Sequence, residues 1–207
     1  MAELFFDGVS NLPVGLQTTL FLLLFMYLLH FLDAVNMNDR LKESWAVAPR
    51  RFIHPLCFFT YVWVHKDFRH LAGNTFLFLV FASVIALDDL QIFWIVTFVI
   101  CLVSGTGVWL FAREQDSRHL GASGLNLGYI AYVVFRGLAF ENVPQIVLGG
   151  ALVIAIFFTR YSTFGNLRYR GDGTSNVGHW FGFLGGIVAI CFMQWVNSLL
   201  INSTFVS

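Results

Sequence analysis

The chain has 207 residues, of which 57% are hydrophobic and 17% aromatic, while only 12% are charged. Because a soluble globular domain carries about 25% charged residues, this composition excludes an ordinary soluble protein. Twelve Lys and Arg balance twelve Asp and Glu, so the net charge is zero and argues against both a polybasic nucleic-acid binder and an acidic disordered chain.

Six apolar stretches meet the length of a membrane span, which is about 20 residues in a helix that satisfies its own backbone. The stretches are too long, and alternate too little, for the strands of a membrane barrel. They cover about residues 14–34, 71–87, 92–112, 123–140, 143–159 and 178–201. The sequence therefore predicts an all-α polytopic membrane protein, a bundle of six transmembrane helices in one domain over residues 1–207.

Two connections differ from the other loops. The first loop contains an apolar run, residues 52–64, that is too short to cross a membrane, and we predict an interfacial or re-entrant segment. Residues 160–177 are rich in Gly, Ser, Thr and Asn, which is typical of a mobile, solvated loop. Since this fifth loop leads into the last span and contains Gly165, Gly171 and Gly173, we predict that it acts as a lid.

Polar groups at membrane depth are costly unless they are paired or face water, so the few in these spans are candidates for function. At the head of the second span, His70 and Asn74 are four residues apart and share one helix face. The pair is compatible either with an interhelical hydrogen bond that stabilises the bundle or with a role in a functional site. His65 lies five residues before His70, off that face if the helix is continuous, so we assign it a structural role in the loop.

The fourth span begins with Gly121-Ala122-Ser123-Gly124. A serine at a helix start is usually a cap, but it can also be a nucleophile whose own N–H, at the positive helix end, helps to hold an oxyanion. The segment is not the nucleophile elbow of soluble hydrolases, because Leu125 stands where that motif has glycine and no strand precedes it.

Glycines repeat every four residues on the fourth and sixth spans, and His179 lies at the head of the sixth. Such small-residue faces let helix backbones approach closely, so these two spans are expected to pack together and to bring Ser123 near His179. The other interpretation is packing glycines beside an unrelated interfacial histidine. The glycines are Gly124 and Gly128 on the fourth span, and Gly178, Gly182 and Gly186 on the sixth.

The topology of six spans places the loops after spans one, three and five on one side of the membrane. His70, Ser123 and His179 begin spans two, four and six, so together with Asn74 they converge at that face. A serine, a base and two oxyanion donors are the components of acyl transfer. Cys57, Cys101 and Cys191 lie in apolar runs without metal-ligand spacing, so we predict buried thiols and no metal site.

These three ordered motifs resemble those of the rhomboid intramembrane serine proteases. That family has His-x-x-x-Asn on the second core helix, Gly-x-Ser-Gly at the fourth and His-x-x-Gly-x-x-x-Gly on the sixth. His65 also matches a histidine that is common in the family. The chain departs from the family pattern in the first loop, where Pro49-Arg50-Arg51-Phe52 replaces a frequent Trp-Arg pair.

The resemblance implies a serine endopeptidase that cleaves transmembrane segments of other membrane proteins with a Ser123–His179 dyad and no cofactor. It further implies that His70, Asn74 and the N–H of Ser123 stabilise the oxyanion. The expected partners are transmembrane substrates and the lipid bilayer, without nucleic acid, and the expected location is the cell membrane, crossed several times. The implied supporting residues are His65, Gly121, Gly124, Gly128, Gly178, Gly182 and Gly186.

Two other functions remain open at this stage. A catalytically silent rhomboid-like protein would bind membrane segments without cutting them, although such proteins typically lack the serine or the histidine, and both are present here. A small transporter would carry polar residues through the midplane of a helix or paired broken helices, whereas here the polar residues cluster at one end of the spans.

The distribution of basic residues and the family resemblance predict opposite orientations in the membrane. Eleven of the twelve Lys and Arg lie on the side of the candidate site, and Arg136 alone lies on the other. The positive-inside rule places the side with more basic residues in the cytoplasm. The family resemblance instead implies a cytoplasmic N-terminus and a site that opens outward. We adopt the family orientation as the expectation, because the first loop is long and apolar enough to insert independently.

Overall fold

A computed structural model describes residues 11–37, 39–51, 56–113, 117–158 and 176–204. Within these ranges the chain is almost entirely helical, with two isolated antiparallel β-bridges in the loops. The described helices are α1 (Val14–Leu32), α2 (Arg40–Trp45), α3 (Cys57–Thr60), α4 (Phe68–Asp88), α5 (Leu90–Phe111), α6 (Ser123–Ala139), α7 (Val143–Phe158) and α8 (Asn176–Thr204), and a π-helical turn, Asp33–Met37, follows α1.

Four of the described helices are long and apolar enough to cross a membrane, which identifies a multi-pass membrane protein. They contain the candidate spans Val14–Val35, Phe68–Asp88, Leu90–Phe111 and Asn176–Ser198. The helices at the fourth and fifth predicted spans, α6 and α7, have 17 and 16 residues. The all-helical class is thus confirmed for the described residues. The count of six spans stays a prediction, because a span takes about 20 residues and these two helices are shorter.

The outward faces of the long helices are apolar, as expected of surfaces that contact lipid. On α1, for example, Phe21 and Leu24 are exposed to 66% and 67%. Phe98 on α5 and Trp195 on α8 are also more than half exposed. A soluble protein rarely shows so many large exposed apolar side chains, because contact with water is unfavourable for them.

Helix α6 is the central helix of the bundle and contacts α4, α5, α7 and α8. All residues from 124 to 133 are buried on it, so protein rather than lipid surrounds this part of the helix on every side. This position allows polar groups to be satisfied by neighbours. Tyr129, for instance, has its hydroxyl 2.7 Å from the hydroxyl of Thr97 on α5.

Aspartates set the start of α4 and of α5. The side chain of Asp67 accepts a hydrogen bond from the N–H of His70 at 2.8 Å, which caps α4 and places His70 in its first turn. Asp89 is a single extended residue between the two helices, and its carboxylate accepts from the N–H groups of Gln91 and Ile92. The two helices thus form a tight hairpin.

The backbones of α6 and α8 touch along the glycine stripes, as the four-residue spacing predicts. A Cβ at Gly182 would collide with the main-chain carbonyl of Gly124, and one at Gly186 with that of Gly128. A Cβ at Gly128 would lie 2.7 Å from the carbonyl oxygen of Gly182. This close approach sets the depth of α8 relative to α6.

Two predictions need correction or fall outside the described residues. Cys57 and Cys101 are buried, but Cys191 is exposed on α8, so the prediction of three buried thiols is wrong for Cys191. An apolar run does not reveal which of its positions face lipid, because lipid and protein interior are both apolar. The lid predicted in residues 160–177 falls largely outside the described residues, which resume at Asn176.

Candidate active site

Ser123 is the first residue of α6, and a sharp turn at Gly121 leads to it. Gly121 has a φ of +107°, in the region that favours glycine. A Cβ at this position would also lie 2.5 Å from the imidazole Cε1 of His70. The N–H of Gly121 donates to the carbonyl of Tyr61 at 2.9 Å. Backbone strain and close packing therefore both require glycine two residues before the serine.

His65 supports the same turn from the first loop. Its Nε2 accepts a hydrogen bond from the N–H of Ala122, the residue before Ser123, at 3.2 Å, and its side chain is buried. Because α4 begins only at Phe68, the continuous helix assumed for the spacing argument is wrong. The ring of His65 instead packs edge-on against that of His70, with 5.2 Å between centroids.

His179 meets Ser123 directly. It is the fourth residue of α8, and its Nε2 lies 2.7 Å from Oγ of Ser123, within hydrogen-bond distance. The hydroxyl of Ser104 on α5 donates to the carbonyl of Gly178 at 2.9 Å and holds the first turn of α8 in place. A serine hydroxyl on an imidazole nitrogen is the arrangement of a nucleophile and its general base.

A small cavity adjoins this pair, with room for roughly one water molecule. Hydroxyl groups and imidazoles reach it from loops and helices that are far apart in the chain. Its lining includes Tyr61, Ser104, His119, Ser123 and His179. Such a lining is able to hold a water molecule beside a serine that otherwise lies among apolar helices.

His70 and Asn74 lie against residues that come shortly before and after Ser123 in the chain. His70 contacts the turn at Gly121, as described above. The side-chain amide of Asn74 donates to the carbonyl of His70 at 2.8 Å, and Asn126 on α6 donates to Asn74. The structure thus joins Ser123 and His179 directly, and connects His70 and Asn74 to the serine through its neighbours on the chain.

Comparison with known proteins agrees with this geometry. A family model described as the rhomboid domain matches residues 53–195, which is well over half of the chain. The chain belongs to the rhomboid family. This confirms the resemblance carried by the three motifs, and the match contains all of the residues described for the candidate site.

Several mycobacterial relatives are similar to this rhomboid. Uncharacterized proteins of Mycobacterium bovis and Mycobacterium tuberculosis are 31% identical to it over 132 residues, covering 61% of this chain and 54% of theirs. An uncharacterized protein of Mycobacterium leprae is 26% identical over 180 residues, covering 85% of this chain and 70% of its own. The chain spans about half the length of the first two relatives.

Four residues of this rhomboid site were not singled out from the sequence: Tyr61, Ser104, His119 and Asn126. Ser104 and Asn126 carried a signal, because each is a polar residue inside an apolar span. His119 and Tyr61 lie in connections, where a polar residue is ordinary. Main-chain hydrogen bonds between His119 and Val47 join the third loop to the first, and no sequence pattern predicts such a bridge.

Two histidines of the rhomboid site are buried in their neutral form. Burial lowers the pKa of His65 from its usual 6.5 to about 3, and the nearby His70 and His30 add to this effect. Burial also lowers the pKa of His119 to about 4. Nε2 of His119 lies 2.7 Å from the hydroxyl of Ser117, and the Nε2 of His65 has to stay unprotonated to accept from Ala122.

These pKa values predict that the folded rhomboid loses stability in mild acid. Between pH 6.5 and the lowered pKa values the unfolded chain binds protons that the folded chain does not, so acid favours unfolding, and above pH 6.5 the effect is absent. Each histidine contributes up to a tenfold change in the folding equilibrium per pH unit. Thermal unfolding in detergent, compared at pH 5 and pH 7, measures this slope.

The matched variants for this measurement are His65→Gln and His119→Gln, because glutamine keeps an acceptor near the position of Nε2 but does not titrate. Each variant should show a smaller difference between its unfolding temperatures at the two pH values than the wild type. An equal difference in wild type and both variants would assign the acid sensitivity to other groups.

Proposed function

We propose that this chain is an intramembrane serine endopeptidase that cleaves transmembrane segments of other membrane proteins with Ser123 as nucleophile and His179 as general base. The observation that supports it most is the 2.7 Å separation between Nε2 of His179 and Oγ of Ser123. A rhomboid-like protein that only binds membrane segments has no need for a serine and a histidine in this contact.

In the first half of the reaction, neutral His179 takes the hydroxyl proton of Ser123 on Nε2 while Oγ forms a bond to the scissile carbonyl carbon. The carbonyl π electrons move to oxygen and give an oxyanion. When the carbonyl re-forms, the bond from carbon to nitrogen breaks and the leaving amine takes the proton from His179. The product is an ester between Ser123 and the substrate.

In the second half, water replaces the amine. His179 takes a proton from the water while the water oxygen attacks the ester carbon. It then returns that proton to Oγ of Ser123 as the bond between Oγ and the acyl carbon breaks. The small cavity beside Ser123 offers a place for this water. No cofactor enters either half of the proposed reaction.

Stabilisation of the negative charge on the oxyanion is usually the largest single contribution to catalysis of this kind. Ser123 begins α6, and the first N–H groups of a helix have no partner within it and lie at its positive end, so the N–H of Ser123 is suited to this charge. We assign the other two donors to His70, which lies beside the turn that leads to Ser123, and to Asn74, which lies four residues further along α4 and contacts Asn126. These assignments complete the proposed set of groups.

Replacement of Asn74 by alanine is expected to weaken cleavage without removing it. Loss of one oxyanion donor lowers turnover by about 10²–10³ in a soluble serine protease, and we expect a loss of that order here. Steady-state cleavage of a purified transmembrane substrate measures kcat and KM separately. The loss should appear in kcat, because the donor acts on a charge that forms only in the transition state.

The proposed substrate is a transmembrane segment that unwinds readily. A regular helix shields its carbonyl groups through internal hydrogen bonds, so a segment with Gly, Pro or polar residues near the membrane face should be cleaved faster than one of leucine. Proteoliposomes that contain the chain and either segment test this, with mass spectrometry to locate the cut. Cleavage confined to soluble parts of the substrate would contradict the proposal.

We further propose that six spans and one domain over residues 1–207 form this enzyme in the cell membrane, with the site opening outward. The excess of basic residues on the site's side argues the other way. Single cysteines introduced into the second and third loops, labelled in whole cells by a membrane-impermeant reagent, decide between the two orientations. Labelling of the third loop alone would agree with the family orientation.

A further inference from the structure

Asn126 is a fully buried polar residue three positions after Ser123 on α6. Its side-chain nitrogen lies 3.1 Å from two acceptors of Asn74 on α4, the main-chain carbonyl oxygen and the side-chain Oδ1. The two residues are 52 positions apart in the chain. The contact therefore joins the helix of the proposed nucleophile to the helix of a proposed oxyanion donor.

The orientation of both amides follows from main-chain groups, which have no ambiguity between donor and acceptor. The carbonyl of Asn74 can only accept, so the Asn126 atom beside it is the NH₂ group. The same NH₂ faces the end of the Asn74 side chain, which is then its oxygen. The other end of that amide faces the carbonyl of His70 at 2.8 Å and is then the NH₂ group.

We propose that Asn126 is a positioning residue of this enzyme, and the inference rests on the proposed function. Asn126 holds the oxygen of Asn74 while the carbonyl of His70 holds its NH₂, and together they fix the amide with the NH₂ toward the end of the bundle where Ser123 lies. An NH₂ group has two hydrogens, and the carbonyl of His70 takes one. The second is left for the oxyanion. With the amide reversed, Asn74 would present an oxygen, which repels the oxyanion.

Helix packing alone does not account for this asparagine. Within the described residues, Oδ1 of Asn126 is buried and has no hydrogen-bond partner. A buried acceptor without a partner destabilises a fold, and this cost offsets part of what the two contacts of the NH₂ group contribute. The effect of the amide on Asn74 is therefore the stronger reason for an asparagine at this position.

Asn126→Leu tests the inference, because leucine keeps the approximate shape and removes the donor. The rate of covalent labelling by a fluorophosphonate is the first readout, since this probe reacts with the serine and its phosphoryl oxygen takes the place of the oxyanion. We expect the maximal labelling rate and kcat to fall by at least about tenfold, toward the 10²–10³ of a lost donor. KM should stay near the wild-type value, and the variant should remain folded at the temperature of the assay.

A double-mutant cycle separates positioning from polar helix contacts. If Asn126 acts through Asn74, then Asn126→Leu should cause no further loss of kcat in the Asn74→Ala background. The inference would be overturned if the kcat losses of the two single variants added in the double variant, or if Asn126→Leu were labelled at the wild-type rate. Where the leucine variant does not fold, Asn126→Asp replaces it, since a carboxyl group has at most one donor hydrogen. Its labelling rate should lie below the wild type, and an equal rate would overturn the inference.

Ser123→Ala, measured in parallel, keeps this test distinct from that of the proposed function. If Ser123→Ala abolishes labelling while Asn126→Leu labels normally, only the positioning role fails. If Ser123→Ala labels as the wild type does, the proposed function with Ser123 as nucleophile fails.

Discussion

Replacement of Ser123 by alanine is expected to abolish both cleavage of transmembrane substrates and covalent labelling by a fluorophosphonate. Alanine has no hydroxyl to attack the carbonyl, and His179 then has no proton to take. In a soluble serine protease the loss of the nucleophile lowers kcat by on the order of 10⁶, and the loss of the histidine is of similar size because the two act as a unit. The kcat of His179→Ala should therefore be reduced as much as that of Ser123→Ala, and the double variant should show no further reduction.

Ser198→Ala is the matched control for this experiment. Ser198 lies on the same helix as His179, is exposed, and donates its hydroxyl only to the carbonyl of Trp195 one turn earlier. It should label and cleave at the wild-type rate. If Ser123→Ala kept the wild-type labelling rate, another hydroxyl would be the nucleophile, and Ser104, which lines the same cavity, would be the first to replace.

Replacement of Gly182 by valine is expected to separate α6 from α8 and to destabilise the protein severely. The new Cβ would collide with the main-chain carbonyl of Gly124, and neither backbone can give way as a flexible side chain could. Overpacking of a core by a few methyl groups costs about 1–3 kcal/mol, and a clash between two backbones should reach or exceed that range. Because Ser123 and His179 meet across this helix contact, activity should be lost as well.

Gly150→Val provides the comparison, since Gly150 lies on α7 and a Cβ there meets no atom of the described residues within 4 Å apart from its own helix backbone. Thermal unfolding in detergent should show a large fall in the midpoint for Gly182→Val and little change for Gly150→Val. Fluorophosphonate labelling of the two variants then reports whether the serine and the histidine remain together. Equal stability of both variants would show that the glycine stripe does not set the distance between α6 and α8.

The all-helical fold and the motifs of the candidate site were predictable from the order of a few residues in an apolar chain. Ser123 directly precedes Gly124, and His179 directly follows Gly178. Both glycines belong to stripes with a spacing of four residues, and these stripes predict which helices touch. His65 was assigned to the loop correctly, but its contact with Ala122 was not predictable, because the turn that brings it there depends on the first residue of α4. The exposure of Cys191 was missed for a related reason, since hydropathy does not give the rotation of a helix.

The sequence by itself determined that this protein lies in a membrane, where its polar groups collect, and to which family it is similar. It could do so because a polar group in hydrocarbon is costly, so every one that persists marks a position with a partner or a role. Only the tertiary structure decided which groups meet, such as Ser104 with Gly178 across 74 residues and Asn126 with Asn74 across 52. Such contacts depend on how each helix is rotated about its axis. Lipid and protein interior are equally apolar, and an apolar sequence therefore leaves that rotation open.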